Sequence, residues 1–549
     1  MTTHGTAAPG YRIIGADEAE ARFQVSAEVE YPFREFADEQ EIRLYEGGLA
    51  VPGDLAAESD GDWVPYNVIV DGDLTVGGAL DWWDSAGGNF LLVTGGLTAR
   101  AVLLSGCPNV VVRGDLTAAD GVQGSYGDDG GLLVVGGRTT APVVISGLYF
   151  SMSFGEQPAA LLAADPHRTD RPVDFTDDEL DQVVLPALLD ADGDVDLRRT
   201  AAELRAGRTV LRPGVRPAHL AALDELDALL VRAGEITELD LSGRKLRGLP
   251  AQLFRFPALR SLDLSDNPDL GDLDPRLGTL TALRELDLSG TGLRRLPDTV
   301  GDLAELRVLD ISGNRFEALP DRLGALARLE VLRAADLSCA VPEALAGLGA
   351  LRELDLSALQ PGGYDDPVAF PLPVTALTGL RELSLARTWL TEVPDALLAL
   401  TGLVHLDLRG SLSAGLHRLP DLARLPHLRV LRLSGHTPWT FQPEPDHALL
   451  DAVWGITTLE HLEIDRWGEK KNGGRILRPA LTALPDDAFA AMPGLRRLDL
   501  SFNELTTLPE SFFALRHLEA ADLRRTRLDH RTAERVRTVF PLLRSQLRE

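Results

Sequence analysis

The chain has 549 residues, 44 % of them apolar, and a formal net charge of −29 from 54 basic and 83 acidic side chains. That length exceeds what one compact core usually holds, so several domains or an elongated repeat stack are expected. The negative field disfavours nucleic-acid backbones and anionic membranes. No apolar run reaches the roughly eighteen residues of a membrane span, and the opening MTTHGTAAPGYRIIGADEAE lacks the basic head and apolar middle of an export signal. The two cysteines, Cys107 and Cys339, are far apart in sequence, which argues against a disulfide framework and for a reducing, cytoplasmic compartment. Lysine is confined to Lys245, Lys470 and Lys471, an Arg-rich usage that fits a GC-rich bacterial genome.

Residues 1–47 read as an N-terminal cap or extension. From 48 to 155 one phrase recurs: AVPGDLAAE, VIVDGDLTV, LLVTGGLTA, VVVRGDLTA and LLVVGGRTT. Their glycines, Gly53, Gly72, Gly95, Gly114 and Gly136, are spaced by 19, 23, 19 and 22 residues. Short β-branched runs that end at glycine with this period predict a parallel β-helix of about five coils, each covering the apolar face of the next. Glycine is expected there for the positive φ of a sharp corner. The rhythm over about 48–150 resembles bactofilin-like polymer-forming proteins. The Gly-Asp pairs at 53–54, 72–73 and 114–115 predict Asp capping of backbone N–H groups, since the GGxGxDxUx pattern of calcium-binding β-rolls is absent. Neither GxGxxG nor GxxxxGK[ST] occurs, so no cofactor is expected, and GVQGSYGDDGG (121–131) reads as a corner loop.

Residues 156–235 predict a helical connector or cap. FTDDELDQVVLPALLDA offers a Thr176 cap followed by Leu180, Val183, Val184, Leu188 and Leu189 at helical spacing. A second run carries Leu220, Leu223, Leu226 and Leu229. Both are expected to cover an exposed end of a repeat array or to join two arrays.

From 236 to 530 the pattern is LxxLxLxxNxL, as in ALRSLDLSDNPDL and ELRVLDISGNRFEALPDRLGAL. This segment resembles the leucine-rich repeat family. Twelve repeats are expected, centred on Leu239, Leu262, Leu286, Leu309, Leu332, Leu354, Leu383, Leu406, Leu431, Leu462, Leu498 and Ala521. The predicted fold class is therefore an α/β repeat protein: a short parallel β-helix, a helical connector, and a leucine-rich repeat solenoid closed by a C-terminal cap at 531–549.

In each LxL strand the middle residue faces outward along one sheet. Asp240, Asp263, Asp287, Asp310, Asp355 and Asp407 thus form an acidic row, with Asp499 and Asp522 continuing it. Two readings stand: a repeat template neutralised by an outer row including Arg260, Arg284, Arg307, Arg352, Arg381, Arg429 and Arg496, or a surface for a partner with basic groups. Three repeats are lengthened after the strand, spanning 29, 31 and 36 residues between central leucines. Their insertions carry Tyr364, Phe370, Trp439, Phe441, Trp454, Arg466, Trp467, Lys470 and Lys471. These form either a partner-docking rim of aromatic and basic anchors or plugs that fold back onto the repeats.

No HExxH, CxxC or CxH pattern supports a metal site. Catalysis on a polysaccharide by Asp71, Asp73, Arg113, Asp115 and Arg138 is the weakest alternative. Leucine-rich repeat ligase effectors end in a catalytic domain with a reactive cysteine, whereas no cysteine here follows Cys339. The expected function is a non-catalytic protein-binding scaffold or adaptor, toxin-neutralising or regulatory, in a bacterial cytoplasm. A self-assembling structural protein is the rival.

Overall fold

The structure is a computed structural model and describes residues 2–3, 10–58, 64–126, 131–362, 367–410, 416–434, 447–465 and 481–541. The chain divides into two compact units, residues 1–221 and 222–549.

In the first unit, three ladders of parallel strands share one winding chain. The first ladder stacks Glu41–Glu46, Tyr66–Asp71, residues 89–93, residues 109–112, Leu132–Val135 and Ser151–Phe154 in parallel register. The second stacks Leu49–Val51, Leu74–Val76 and residues 97–98, 116–118 and 139–140. The third runs from Leu55–Ala56 through residues 80–84, 101–105, 121–125 and 144–146 to 161–163. Alternation sends one set of side chains inward, so Tyr66, Val68, Leu91, Val93, Val110 and Val112 fill a common core. The fully buried Trp82 joins them and donates its indole N–H to Asn89 Oδ1 at 2.6 Å. The first ladder has six strands against the five glycines of the sequence period, for two reasons. Gly53 stacks on Gly78 and not on Gly72, whose neighbour one turn back is Gly48, and the last turn's corner glycine, Gly155 on Gly136, follows SMSF without a β-branched run.

Corner glycines serve close stacking more than backbone conformation. Of the five expected at positive φ, Gly72 (φ +134°) has it, whereas Gly53, Gly95, Gly114 and Gly136 do not. Gly95 N–H donates to Gly72 O, Gly114 N–H to Gly95 O and Gly137 N–H to Gly114 O, at 2.9–3.0 Å. A Cβ on Gly114 would lie 2.7 Å from the carbonyl carbon of Gly95. Asp54, Asp73 and Asp115 each accept a backbone N–H of the next turn, from Ala79, Gly96 and Arg138 respectively, at 2.8 Å. The segment 121–125, expected as part of a loop, is instead paired strand on both sides, and Gly124 lies against the Phe150 ring.

Outward faces of two ladders are apolar and covered. Residues 10–40 place Phe23, Val25 and Phe33 on Ile69, Phe90, Leu92 and Val111 of the first ladder. After 176, Leu180, Val183, Leu197 and Leu204 cover Leu103, Val143 and Ile145 of the third. These segments thus cover a side of the stack, whereas the helices after 156 had been expected to cover the end of an array or to join two arrays. The capping box at Thr176 and Glu179 forms. The helix it opens stops at Val183, because Pro186 forces the preceding residues to extend. Stack edges are also closed at the first strands of the first and third ladders, whereas Leu49–Val51 of the second pairs on one side only among the described residues. Arg12–Ile14 pairs antiparallel with Glu41–Glu46, and Thr2–Thr3 with Leu55–Ala56. At the far end Asp170 accepts Phe154 N–H, Asp174 accepts Leu162 N–H, and Arg171 donates to the Phe154 and Gly155 carbonyls.

Among its described residues the second unit holds twelve parallel strands of three residues each, from Glu238–Asp240 to Ala520–Asp522, centred on the twelve expected positions. Between strands, the chain returns through short turns of 3-10 helix such as Pro275–Thr279 and Asp298–Asp302, and leucines fill the space between. Four residues after ten of the central positions the described backbone turns left-handed: Gly243, Asp266, Gly290, Gly313, Asp336, Ala358, Arg387, Gly410, Phe502 and Arg525 all have φ between +54° and +79°. Non-glycine residues pay about 1–2 kcal/mol in that region, so Arg525→Gly, at an exposed position, is expected to raise stability by about 0.5 kcal/mol after the added chain entropy of glycine, read as a higher thermal midpoint. One residue further, Asn267, Asn314 and Asn503 are buried and bond the backbone of successive repeats. Ala222 and Leu226 of Ala218–Leu229 pack at the start of this core. His530–Val539 packs at its other end through Val536, capped by Asp529 and stopping before Pro541.

Candidate partner-binding surface

Three-residue strands expose the residue on either side of each central leucine, so two columns of side chains cross the sheet at about 4.8 Å per step. One column is the expected row. Asp240, Asp263, Asp287 and Asp310 are paired in succession, then Arg333, Asp355, Ser384, Asp407, Arg432, Glu463, Asp499 and Asp522 follow. The other column, which the sequence reading passed over, holds Glu238, Glu285, Glu353 and Glu382 and, later, His405, His461 and Arg497. Its signal was the recurring Glu of RELDLS.

Each Asp has a local task. Oδ1 of Asp240, Asp263, Asp287, Asp310, Asp355 and Asp499 accepts the N–H of the Ser two residues on, at 2.8–3.0 Å. In the first three, that Ser hydroxyl also donates, at 2.6 Å. Asp407 and Asp522 hold Arg409 and Arg524 in the same way through backbone and guanidinium. The carboxylates therefore turn the chain as it leaves the strand. Charge responds to position: the Ser242 bonds lower the carboxyl pKa of exposed Asp240, whereas burial and then the neighbouring Asp310 and Asp263 raise that of Asp287.

The expected neutralisation by the arginine row is not what forms. These arginines share a row with glutamates, and Arg307–Glu330, Arg429–Glu460 and Arg496–Glu519 pair along it between adjacent repeats. Such exposed pairs contribute little stability. The bases that meet the columns come from elsewhere: Arg409 and Arg524 on Asp407 and Asp522, Arg333 at 2.9 Å from Glu353, and Arg432 at 3.6 Å from Asp407 and 3.5 Å from Glu463. Burial raises the Glu463 carboxyl and lowers the His461 imidazole. His405 lies 3.3 Å from Glu382.

Of the expected rim, Tyr364, Trp439, Phe441, Arg466, Trp467, Lys470 and Lys471 lie outside the described residues. Phe370 is buried, and Trp454 is half-buried with its ring edge-on to Phe489 at 6.0 Å. These two aromatics pack into the repeats. In the first unit, the residues considered for catalysis also have structural partners: Asp73 and Asp115 cap corners, Asp71 meets Arg22 at 3.4 Å, and Arg113 meets Glu28 at 2.8 Å. Among the described residues no helix is long and apolar enough to cross a membrane.

Residues 239–386 match the family described as leucine-rich repeat region, and residues 478–528 match leucine rich repeat. These are leucine-rich repeats. Similar solved structures include a leucine-rich repeat protein of Leptospira interrogans, at 21 % identity over 58 % of this chain and 97 % of that one, TM-score 0.32. An internalin of Listeria monocytogenes shows 17 % identity over 60 % of this chain and 93 % of that one, TM-score 0.38. The Arabidopsis receptor kinase HAESA, solved with a peptide hormone and a co-receptor, shows 25 % identity over 53 % of this chain and 46 % of that one, TM-score 0.38. No curated protein matches the chain significantly. Leucine-rich repeat proteins typically serve as protein-binding scaffolds, whose stacked repeats offer extended binding surfaces.

Proposed function

We propose that the leucine-rich repeats form a non-catalytic protein-binding scaffold whose strand face takes a partner with a basic surface. Its role is that of a toxin-neutralising or regulatory adaptor in a bacterial cytoplasm. One observation carries the reading: over the first seven strands the two outward columns contain nine carboxylates and a single base, Arg333. Side chains about 4.8 Å apart lie well inside the screening length of physiological salt, so their fields add and steer a basic partner. Tyr364, Trp439, Phe441, Arg466, Trp467, Lys470 and Lys471 of the inserted stretches are assigned to the same partner as aromatic and basic anchors.

Replacing Asp263, Asp287 and Asp310 together with asparagine keeps the oxygen that accepts each turn N–H and removes three charges. The dominant partner retained by the immobilised intact chain from its source cell is expected to bind the triple variant at least about tenfold more weakly, with a shallower salt dependence. Unchanged affinity would reject the reading. Asp287→Asn alone separates charge from fold. The raised folded pKa of Asp287 means its favourable contribution is complete below the unfolded value and is lost as pH rises through the folded one. The variant is therefore expected to melt higher than the parent at neutral pH, and the gain is expected to vanish in acid.

The three ladders of the first unit support reading residues 48–155 as a single-layer parallel β-helix, with 1–47 and 156–235 as its coverings. Self-assembly of a bactofilin-like kind requires an open stack edge. Antiparallel Arg12–Ile14 and Thr2–Thr3 at one side, and the Asp170, Arg171 and Asp174 bonds at the other, weigh against it.

A further inference from the structure

The third ladder of the first unit is not wholly covered. Beside the apolar strip under Leu197 and Leu204, an open cleft of about 550 Å³ lies between the ladder and the helix Leu197–Arg205. Its wall includes Trp83, which neighbours Ser105, which in turn neighbours Ser125 across the strands. The chain leaves the strand there through Tyr126, and one turn further through Leu148 and Tyr149.

That corner carries two costs that packing does not require. Tyr126, Leu148 and Tyr149 have φ of +60°, +46° and +66°, a region bulky side chains avoid, and with the helix-capping Gln24 they are the non-glycine residues of the described first unit that do so. All three are also exposed, by 40 %, 46 % and 58 %. Glycine or asparagine would serve the turn without either cost. Each tyrosine moreover carries a cation: the Arg198 guanidinium lies 5.9 Å from the Tyr126 ring centre and that of Arg168 5.5 Å from Tyr149. Among the described residues neither guanidinium has a carboxylate within ion-pair distance, although the chain as a whole bears a charge of −29.

We propose that this corner docks an acidic segment of a protein partner. One apolar side chain of that segment enters the cleft beside Trp83, and its flanking carboxylates meet Arg168 and Arg198. Half-buried Trp83 and the exposed Tyr and Arg residues are of the types that anchor protein interfaces, and the unpaired guanidiniums set the charge of what they meet. The site is independent of the acidic strand face and of opposite sign.

The test is selection from a random peptide display library on the intact chain, with counter-selection on two variants. Arg168→Glu/Arg198→Glu reverses the charge. Tyr126→Gly/Tyr149→Gly removes the rings and relieves the backbone, so its thermal midpoint is expected to hold or rise, which excludes misfolding as the cause of lost binding. Peptides that combine Asp or Glu with an apolar residue are expected to enrich. A synthetic peptide from that pool should bind each variant at least about tenfold more weakly, and should bind the Asp263/Asp287/Asp310 asparagine variant unchanged. The proposal is overturned if nothing enriches over the two variants, if the enriched peptides are basic, or if a glycan array and no peptide responds to the same substitutions.

Discussion

Asn314→Ala is expected to destabilise the leucine-rich repeat unit by about 2–4 kcal/mol, read as a drop in the urea midpoint with little change in slope. The Asn314 amide donates to the carbonyls of Leu288 and Ile311 at 2.7 and 3.0 Å. Its oxygen accepts the N–H of Leu293 at 2.9 Å and the hydroxyl of Thr291 at 2.9 Å. The side chain is 6 % exposed, so water has little access to what it leaves behind. Truncation strands the Ile311 carbonyl and the Leu293 N–H inside the fold, while the Leu288 carbonyl keeps the Thr291 hydroxyl at 2.6 Å, and each unmet group costs about 1–3 kcal/mol before relaxation. Asn314→Asp keeps the acceptor and loses the donors, and it too should destabilise, because a carboxylate would face two carbonyl oxygens. A loss below about 1 kcal/mol for the alanine variant would show that the repeats do not depend on this bridge.

Gly114→Ala should harm the first unit comparably, by about 2–4 kcal/mol, or prevent its folding. The added methyl would sit 2.7–2.8 Å from three backbone atoms of Gly95 and Gly96, and backbone between two paired turns cannot yield as a side chain can. Gly234→Ala, where nothing lies within 4 Å and φ is not positive, is the matched control, with an expected change within about 0.5 kcal/mol. Circular dichroism melts of the full chain compare the two. Equal melting would mean that the corner glycines are not held apart by contact.

These two substitutions also mark what was readable in the sequence. The twelve central positions were legible because a period near 23 residues repeats the same apolar triplet, and stacked strands leave that triplet no other neighbour. The glycines were legible as corners, but their reason was not. Positive φ is a property of one residue, whereas the approach of Gly114 to Gly95 depends on two turns lying in register. The Asp row was visible in LDLS, yet its hold on the following Ser is a matter of turn geometry that Asp-x-Ser alone does not specify. Phe23, Val25 and Phe33 cover the first ladder without any periodic signal, since a covering segment follows the surface beneath it and not a rhythm of its own. The corner at Tyr126, Leu148 and Tyr149 was invisible for a similar reason: left-handed backbone at tyrosine or leucine contradicts local preference and is imposed by the strands on either side.

Because the turn-forming carboxylate and the surface charge are one and the same group, copying an LDLS repeat copies a negative charge with it. Lengthening such an array by duplication deepens its electrostatic potential in proportion, without selection on any partner. A lineage that needed a neutral face would have to redesign the exit from every strand, as Arg333 followed by Ala335 shows at the one early strand where the pattern lapses.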